Sequence, residues 1–577
     1  MNKIADVVIR GGLVVDGSGK EPFLADVALS GGIITAIGAA LAPGLKEVDA
    51  RGCLVTPGFV DIHTHYDGQA IWSDRMDPSS LHGVTTVVMG NCGVGFAPCR
   101  KQDHEVLLRV MEGVEDIPEI VMSQGLDWDW ESFPEYLDAL EKRPRDIDVA
   151  AYLPHSPLRV FVMGERGVNR EPATGEDLAR MRNLATEAIT AGALGCATSR
   201  IHVHRTSDGD FIPSYQSAEP ELQALADGMT EVGSGVMQMV GNPAQDGWQH
   251  DLDMMDRIAR KSGRPFTFTM GVNPESASAR DRLAELNESG IKLTGQIFPR
   301  PVGMILSHST SWNPFSFCPS FKSLAHLTSE DRLQQLQRQD VRARLIAEEP
   351  DITLPLGLYT RMFDRMFPLG DPPNYEPSPE ESIAARAEAA GVSPAEWVYD
   401  YLLGQAGTAQ LLMALTGLVD DTLDLVREMM DHPNVIFGLG DGGAHYGLIC
   451  DASYPTHILT HWVRDRDHGR IPLAQAIAAL TSRPAATVGL NDRGLLAPGY
   501  KADVNVIDPE AITLHSPIVV HDLPGGGRRM IQTATGYRAT IVAGEMTYQD
   551  GKATSALPGK LIRGSQPAPH PAVKALA

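Results

Sequence analysis

The chain has 577 residues, 43% hydrophobic and 21% charged, which fits a soluble globular protein with room for a large barrel and a smaller domain. Its 49 Lys and Arg against 73 Asp and Glu leave a net charge of −24, which argues against nucleic acid or an anionic membrane as partner. No apolar run approaches the roughly 20 residues of a membrane helix, the first residues lack the apolar core of a signal peptide, and six cysteines in so long a chain are not a disulfide framework, so a cytoplasmic location is expected.

Residues 4 to 55 read as short strands. Asp6 to Arg10, Gly12 to Val15, Ala25 to Leu29 and Ile33 to Ile37 are strand-like and separated by Gly and Pro, and Asp16 to Gly19 has the composition of a hairpin turn. The stretch Val55 to His65 follows. Pro57 and Gly58 form a turn, Phe59, Val60 and Ile62 suit a buried strand, and alternation puts His63 and His65 on one face. Two imidazoles about 7 Å apart along a strand can lean onto one cation. Asp61 and Asp67 add carboxylates nearby. From Gly58 onward, strands alternate with helices, which implies parallel strands joined by crossover helices. Thr174 with Asp177 forms a capping box for a helix ending at Gly192, and Ser393 with Pro394 starts another through Trp397 and Leu402.

The segment around His63 and His65 resembles the first barrel strand of the amidohydrolase superfamily, and Gly83 to Val94, with Asn91-Cys92-Gly93, resembles the second strand of its N-acyl-D-amino-acid deacylase (D-aminoacylase) branch. The resemblance extends from about Ile4 to Thr547. It implies an α/β fold: a (β/α)8 TIM-like barrel with a small β-sandwich domain built from both chain ends. Expected boundaries are 1–57 and 486–560 for the sandwich, 58–485 for the barrel, and 561–577 for a loose tail. It also implies a zinc site in which His63, His65 and Cys92 are ligands. Asp441, at the end of the strand-like run Val435 to Leu439, matches the aspartate of strand eight that binds metal and accepts a proton from the attacking water. Catalytic groups sit at this end of barrel strands.

Two histidines that the branch draws from strands five and six are missing. The corresponding stretches, Gly235 to Val240 and Pro265 to Asn273, offer Gln238 or Met239 and Met270 instead. Methionine is a neutral, soft thioether and does not replace imidazole on zinc. One zinc on His63, His65 and Asp441, with Cys92 as a fourth ligand, is therefore favoured. Two ions remain allowed if His155, His202, His204 or His308 moves in. His202, His204 and His445 are candidate substrate contacts. The stretch Pro299 to Pro379 is long, irregular and rich in aromatics, and reads either as a lid lining the pocket mouth or as an insertion packing on the barrel. The function implied is hydrolysis of a C–N bond in a small amide, an N-acyl amino acid (D configuration included), with Asp441 as general base and acid. Hydrolysis of a cyclic amide, aryl amide or carbamate is the alternative within the superfamily, and a non-catalytic binding protein is the alternative outside it. Homo-oligomers are common in the superfamily and self-association is expected.

Overall fold

The structure, a computed structural model, describes residues 4–352 and 357–569. Eight parallel strands form the barrel: β1 Phe59–Asp61, β2 Val84–Met89, β3 Asp148–Ala151 continuing as Leu153–Pro154, β4 Gly195–Ser199, β5 Val236–Val240, β6 Phe266–Thr269, β7 Leu293–Ile297 and β8 Val435–Phe437. β1, β2 and the first half of β3 pair as one ladder; the second half of β3 pairs with β4 and the rest follow in order to β8. Tyr152 sits at the break in β3 and joins the two ladders through its N–H to Met89 O at 2.9 Å. The ring closes at the top, where Asp441 N donates to His63 O (3.0 Å) and His65 N donates to Gly442 O (2.8 Å).

Strands buried on both faces read as near-continuous apolar or small-residue runs, and β2 (Val-Thr-Thr-Val-Val-Met) and β5 (Val-Met-Gln-Met-Val) are wholly buried. Inside the barrel, Val60, Val88, Ala150, Tyr152, Ala197, Val236 and Ile436 form one plug, floored by Leu490 and Ile562. Outside it, amphipathic helices cover the strands. The helix Gly175–Ala191 has the capping box of Thr174 and Asp177 and ends at Gly192, whose φ of 117° is a left-handed conformation suited to glycine. The helix Pro394–Leu402 starts at Ser393, whose hydroxyl accepts from Glu396 N.

The chain ends meet in a nine-stranded, mostly antiparallel sheet that encloses its own core of Val7, Ile9, Val27, Leu29, Ile34, Val504, Val506 and Ile541, the small β-sandwich. The runs before and after Gly11 are one strand, Val7–Val14, with a register shift between Ile9 and Gly12. A bulge at Gly11, with φ at 63°, explains why the sequence reads as two strands there.

Two stretches differ from the sequence expectation. The insertion between β7 and β8 runs on past Pro379 to Asn434. It carries a three-stranded antiparallel sheet (Val302–Leu306, Met366–Pro368, Leu411–Thr416) and its own apolar core. Trp312 and Phe315 are buried in that core and Phe317, Tyr359 and Phe363 pack on it, so these aromatics hold the insertion together rather than line a pocket mouth. The residues 353–356 of the expected loop lie outside the described residues. The stretch after Leu561, expected to be loose, is bonded under the barrel: Ile562 N donates to Val149 O (2.8 Å), Gln566 N to Gly489 O (2.9 Å), and Asn491 N to Gln566 O (2.9 Å). Residues 570–577 of that tail lie outside the described residues.

Candidate metal centre

The site is assembled at the C-terminal ends of the strands. Beyond β1 the chain stays extended, held by Thr64 N to Val88 O at 3.0 Å, so His63 and His65 both point into the mouth, with ring centroids 5.6 Å apart. β2 delivers Cys92 in the tight turn Asn91–Gly93, and β8 delivers Asp441. Cys92 Sγ lies 3.4 Å from His63 Nε2 and 3.9 Å from His65 Nε2. Asp441 Oδ1 lies 3.5 Å from His63 Nε2 and 3.6 Å from His65 Nε2. Donors bonded to a four-coordinate zinc at about 2.0–2.3 Å stand roughly 3.3–3.8 Å from one another, so these separations are those of neighbouring ligands. Among the described residues, His63, His65 and Cys92 are the group whose donor atoms converge tightly enough to hold a metal ion.

The backbone is bent to achieve this. Cys92, Asp441 and His445 all have left-handed φ angles, 55°, 46° and 52°, a conformation that costs non-glycine residues about 1 kcal/mol or more each. Gly440 allows the close approach of the two strand ends: a Cβ there would stand 2.0 Å from Asp61 Oδ2.

Electrostatics follow from burial. His63, His65 and Cys92 are 1%, 1% and 7% exposed. Burial lowers His63 to about 4 and His65 to about 3, so both rings are neutral and offer lone pairs. Burial also pushes the Cys92 thiol well above its usual range, with Glu115 and Asp441 adding to the effect. A thiolate here therefore needs a cation beside it, which a divalent ion in this N, N, S, O donor set provides.

A second layer of side chains meets the two imidazoles from behind. Gln296, at the end of β7, places Oε1 3.1 Å from His63 Nδ1, and its own amide donates to Thr267 Oγ1 at 2.8 Å. His63 Nδ1 is thus the protonated nitrogen and Nε2 faces the cluster. Glu115 places Oε1 3.3 Å from His65 Nδ1 and Oε2 3.6 Å from His445 Nε2. It is 1% exposed, and burial, reinforced by Asp441 and Asp67, raises its carboxyl well above the ordinary range. Glu115 and Gln296 are site residues that the sequence reading missed. Glu115 is the last residue of the helix His104–Glu115, and nothing local marks it. Asp61 and Asp67 bind backbone amides beside the cluster: Asp61 Oδ1 accepts from His63 N (3.1 Å) and Asp67 Oδ2 from Gly90 N (3.1 Å). Burial raises them to about 8 and about 7.

The remaining sequence candidates separate cleanly. Gln238, on β5, turns Oε1 to Cys92 N at 3.0 Å, and Met270 packs against Gly295. His155 uses both ring nitrogens, on Thr198 and on Glu221, at 2.8 Å each. His308 is buried in the insertion near Phe321, away from the cluster. His202 bonds Asn242 at 3.0 Å and is not on the cavity wall. His204 and His445 do line the cavity; His204 bonds Ser199 through Nδ1 at 2.9 Å. That cavity, of about 750 Å³, opens from the cluster between the ends of β5, β6 and β8 and the base of the insertion at Val302 and Thr416.

Comparison with known proteins agrees with this architecture. The pattern of the Amidohydrolase family matches residues 46–548. An N-acyl-D-aspartate deacylase of Alcaligenes xylosoxydans xylosoxydans is 28% identical, covering 97% of this chain and 95% of that protein. A D-aminoacylase of the same organism is 25% identical over 88% and 89%. Among solved structures, D-aminoacylase superposes with a TM-score of 0.64 at 22% identity, covering 97% of this chain and 100% of that one. The N-acyl-D-glutamate deacylase from Bordetella bronchiseptica, solved with zinc and a phosphonate inhibitor, gives 0.62 at 21% with the same coverage. Shared fold, end-to-end relatives and a family match across most of its length converge on one conclusion: the chain belongs to the amidohydrolase family.

Proposed function

We propose that the protein is a zinc-dependent hydrolase of the C–N bond of a small N-acylated substrate, an N-acyl amino acid or a related amide. The observation that carries this reading is the convergence of His63, His65, Cys92 and Asp441 at ligand separations, on the wall of a cavity large enough for such a molecule. One ion is the better fit. Gln238 and Met270 stand where ligands of a second ion are expected, and both are engaged in contacts within the protein.

A zinc ion bound here would supply Lewis-acid polarisation of the carbonyl and acidify the attacking water, and His63, His65 and Cys92 would hold it. Asp441 is the general base: its carboxylate borders the cavity on the side of the two Nε2 atoms, and it takes the proton of the attacking water and returns it to the leaving nitrogen. Gln296 and Glu115 hold the two imidazoles in the orientation that presents Nε2.

The test is elemental analysis combined with turnover of a panel of N-acyl-D-, N-acyl-L- and cyclic amides. Near one zinc per chain is expected, absent in a His63→Ala/His65→Ala variant. Asp441→Asn should lower turnover at least about a hundredfold. Wild-type rates in that variant would overturn the mechanism. Tight binding of amides with no turnover and no effect of Asp441→Asn would instead favour a binding protein on this fold.

A further inference from the structure

The cavity beside the metal cluster carries an unusual charge pattern. Its described lining includes no arginine or lysine, and of its four carboxyl side chains Glu115 is buried with its pKa raised, Asp451 is paired with Arg300, Asp441 belongs to the cluster and Glu275 is exposed at the rim. Two arginines lie close behind the mouth, outside the described lining: Arg300 is fully engaged, and the Nε of Arg200 has no hydrogen-bond partner among the described residues. Arg300 is buried, with Nε donating to Asp451 Oδ1 at 2.8 Å, Nη1 to Ser453 Oγ at 3.0 Å and Nη2 to Cys450 O at 2.5 Å. Arg200 is buried and its Nη1 bonds Ser217 O. Glu275 is exposed at the rim, where an incoming anion meets it first. The rest of the wall is largely apolar, with Ile201, Val240, Trp248, Phe298, Leu439 and Ile449.

A substrate carboxylate entering this space passes the Glu275 carboxylate at the rim, loses hydration and gains no guanidinium or ammonium partner from the described lining. Burying an unpaired carboxylate is strongly unfavourable. A zinc ion offers little relief, because the Cys92 thiolate and the Asp441 carboxylate balance its charge. An uncharged amide meets none of these costs, and its hydrocarbon part gains contact with the apolar wall.

We propose that this site selects amides that carry no free carboxylate, that is, neutral N-acyl amines, esters or amides of N-acyl amino acids, over the N-acyl amino acids themselves. This rests on the hydrolytic reading above and narrows its substrate class.

The experiment uses the full-length zinc-loaded protein and matched pairs that differ only at the carboxyl group: N-acetyl-D-leucine against its methyl ester and against N-acetyl-3-methylbutylamine, with the L series alongside. Acetate release gives kcat/KM for each. The neutral member should exceed the acid at least about tenfold. An acid turned over as well as or better than its neutral partners overturns the proposal. If no member of any pair is hydrolysed, the hydrolytic reading of these substrates fails by itself, and calorimetric binding of the same pairs decides the proposal: tighter binding of the neutral members sustains it, whereas tighter binding of the acids, or no binding of either, overturns it.

Discussion

At the scale of single residues, the centre separates groups that touch the metal position from groups that aim them. Cys92 is held with a left-handed backbone by Gln238, and its thiol is protonated unless a cation sits beside it. Cys92→Ala should therefore lower zinc content at fixed chelator concentration; unchanged content would make Cys92 a packing residue. Glu115 is the opposite case, a buried carboxyl that meets His65 from behind and reaches His445 on its other side. Glu115→Ala should weaken zinc binding by about 10–100-fold in chelator competition, because the ring of His65 loses the partner that fixes it. An affinity equal to wild type would remove Glu115 from the centre. The sequence exposed His63, His65, Cys92 and Asp441 because each sits in a local pattern with its own chemistry. It did not expose Glu115 or Gln296, because their partners are 50 and 233 positions away in the chain.

At the scale of elements, the insertion between β7 and β8 is the piece most removed from a plain barrel. Its aromatics read as possible pocket walls in the sequence, and the fold uses them as a core. What reaches the cavity is its base, at Val302 and Thr416. Glu376 latches the insertion to the barrel. Its carboxylate accepts from Arg466 (2.8 and 2.9 Å) and Leu423 N (2.8 Å), and bonds His461 at 2.8 Å. Burial opposes ionisation of Glu376, but the hydrogen bonds from Arg466 and His461 outweigh it and bring the carboxyl down to about 2 from 4.5. A depressed pKa of this kind contributes stability that is full above the unfolded value and is lost as pH falls from about 4.5 to about 2, on the order of 2–3 kcal/mol. Thermal unfolding followed between pH 6 and pH 2 should show that loss in the wild type. A Glu376→Gln variant should be less stable at pH 6 and flatter across the acid range; a parallel curve would sink the latch.

At the scale of the whole molecule, the barrel floor and the sandwich are joined through one buried charge. Asp148, on β3, accepts from Arg493 (2.7 Å) and Lys501 (2.6 Å), which lie on the segment that leaves the barrel for the sandwich. Although burial opposes it, Lys501 and Arg493 hold the carboxyl of Asp148 below the usual range. Asp148→Asn leaves Arg493 with Asp492 and Lys501 with Asp503 but removes two charge-assisted bonds at a closed interface, and should cost about 1.5–3 kcal/mol, read as a lower urea midpoint. A change below about 0.5 kcal/mol would mean that the interface does not depend on this pair of ion pairs. The last described stretch, from Pro558 to Gln566, closes the same floor by backbone bonds to β3, Gly192 and Gly489. Its sequence, Pro-Gly-Lys-Leu-Ile-Arg-Gly-Ser-Gln, carries no periodicity, so nothing in it distinguishes a strap docked on a barrel from a free tail.

The sequence by itself determined the class of the molecule: strands alternating with helices, strand-like ends, and a histidine pair, a cysteine and an aspartate at strand ends. These are local properties, set by side-chain alternation, capping and turn chemistry within a few residues. Tertiary structure alone decided which polar groups converge. Glu115 from a helix end, Gln296 from β7 and Gln238 from β5 meet the ligands only because closing the barrel brings its strand ends to one mouth. The same closure leaves His155 and His308 buried elsewhere and sets four carboxyl side chains around a cavity whose described lining has no basic side chain but histidine. Convergence of this kind is a property of packing, and no window of sequence contains it.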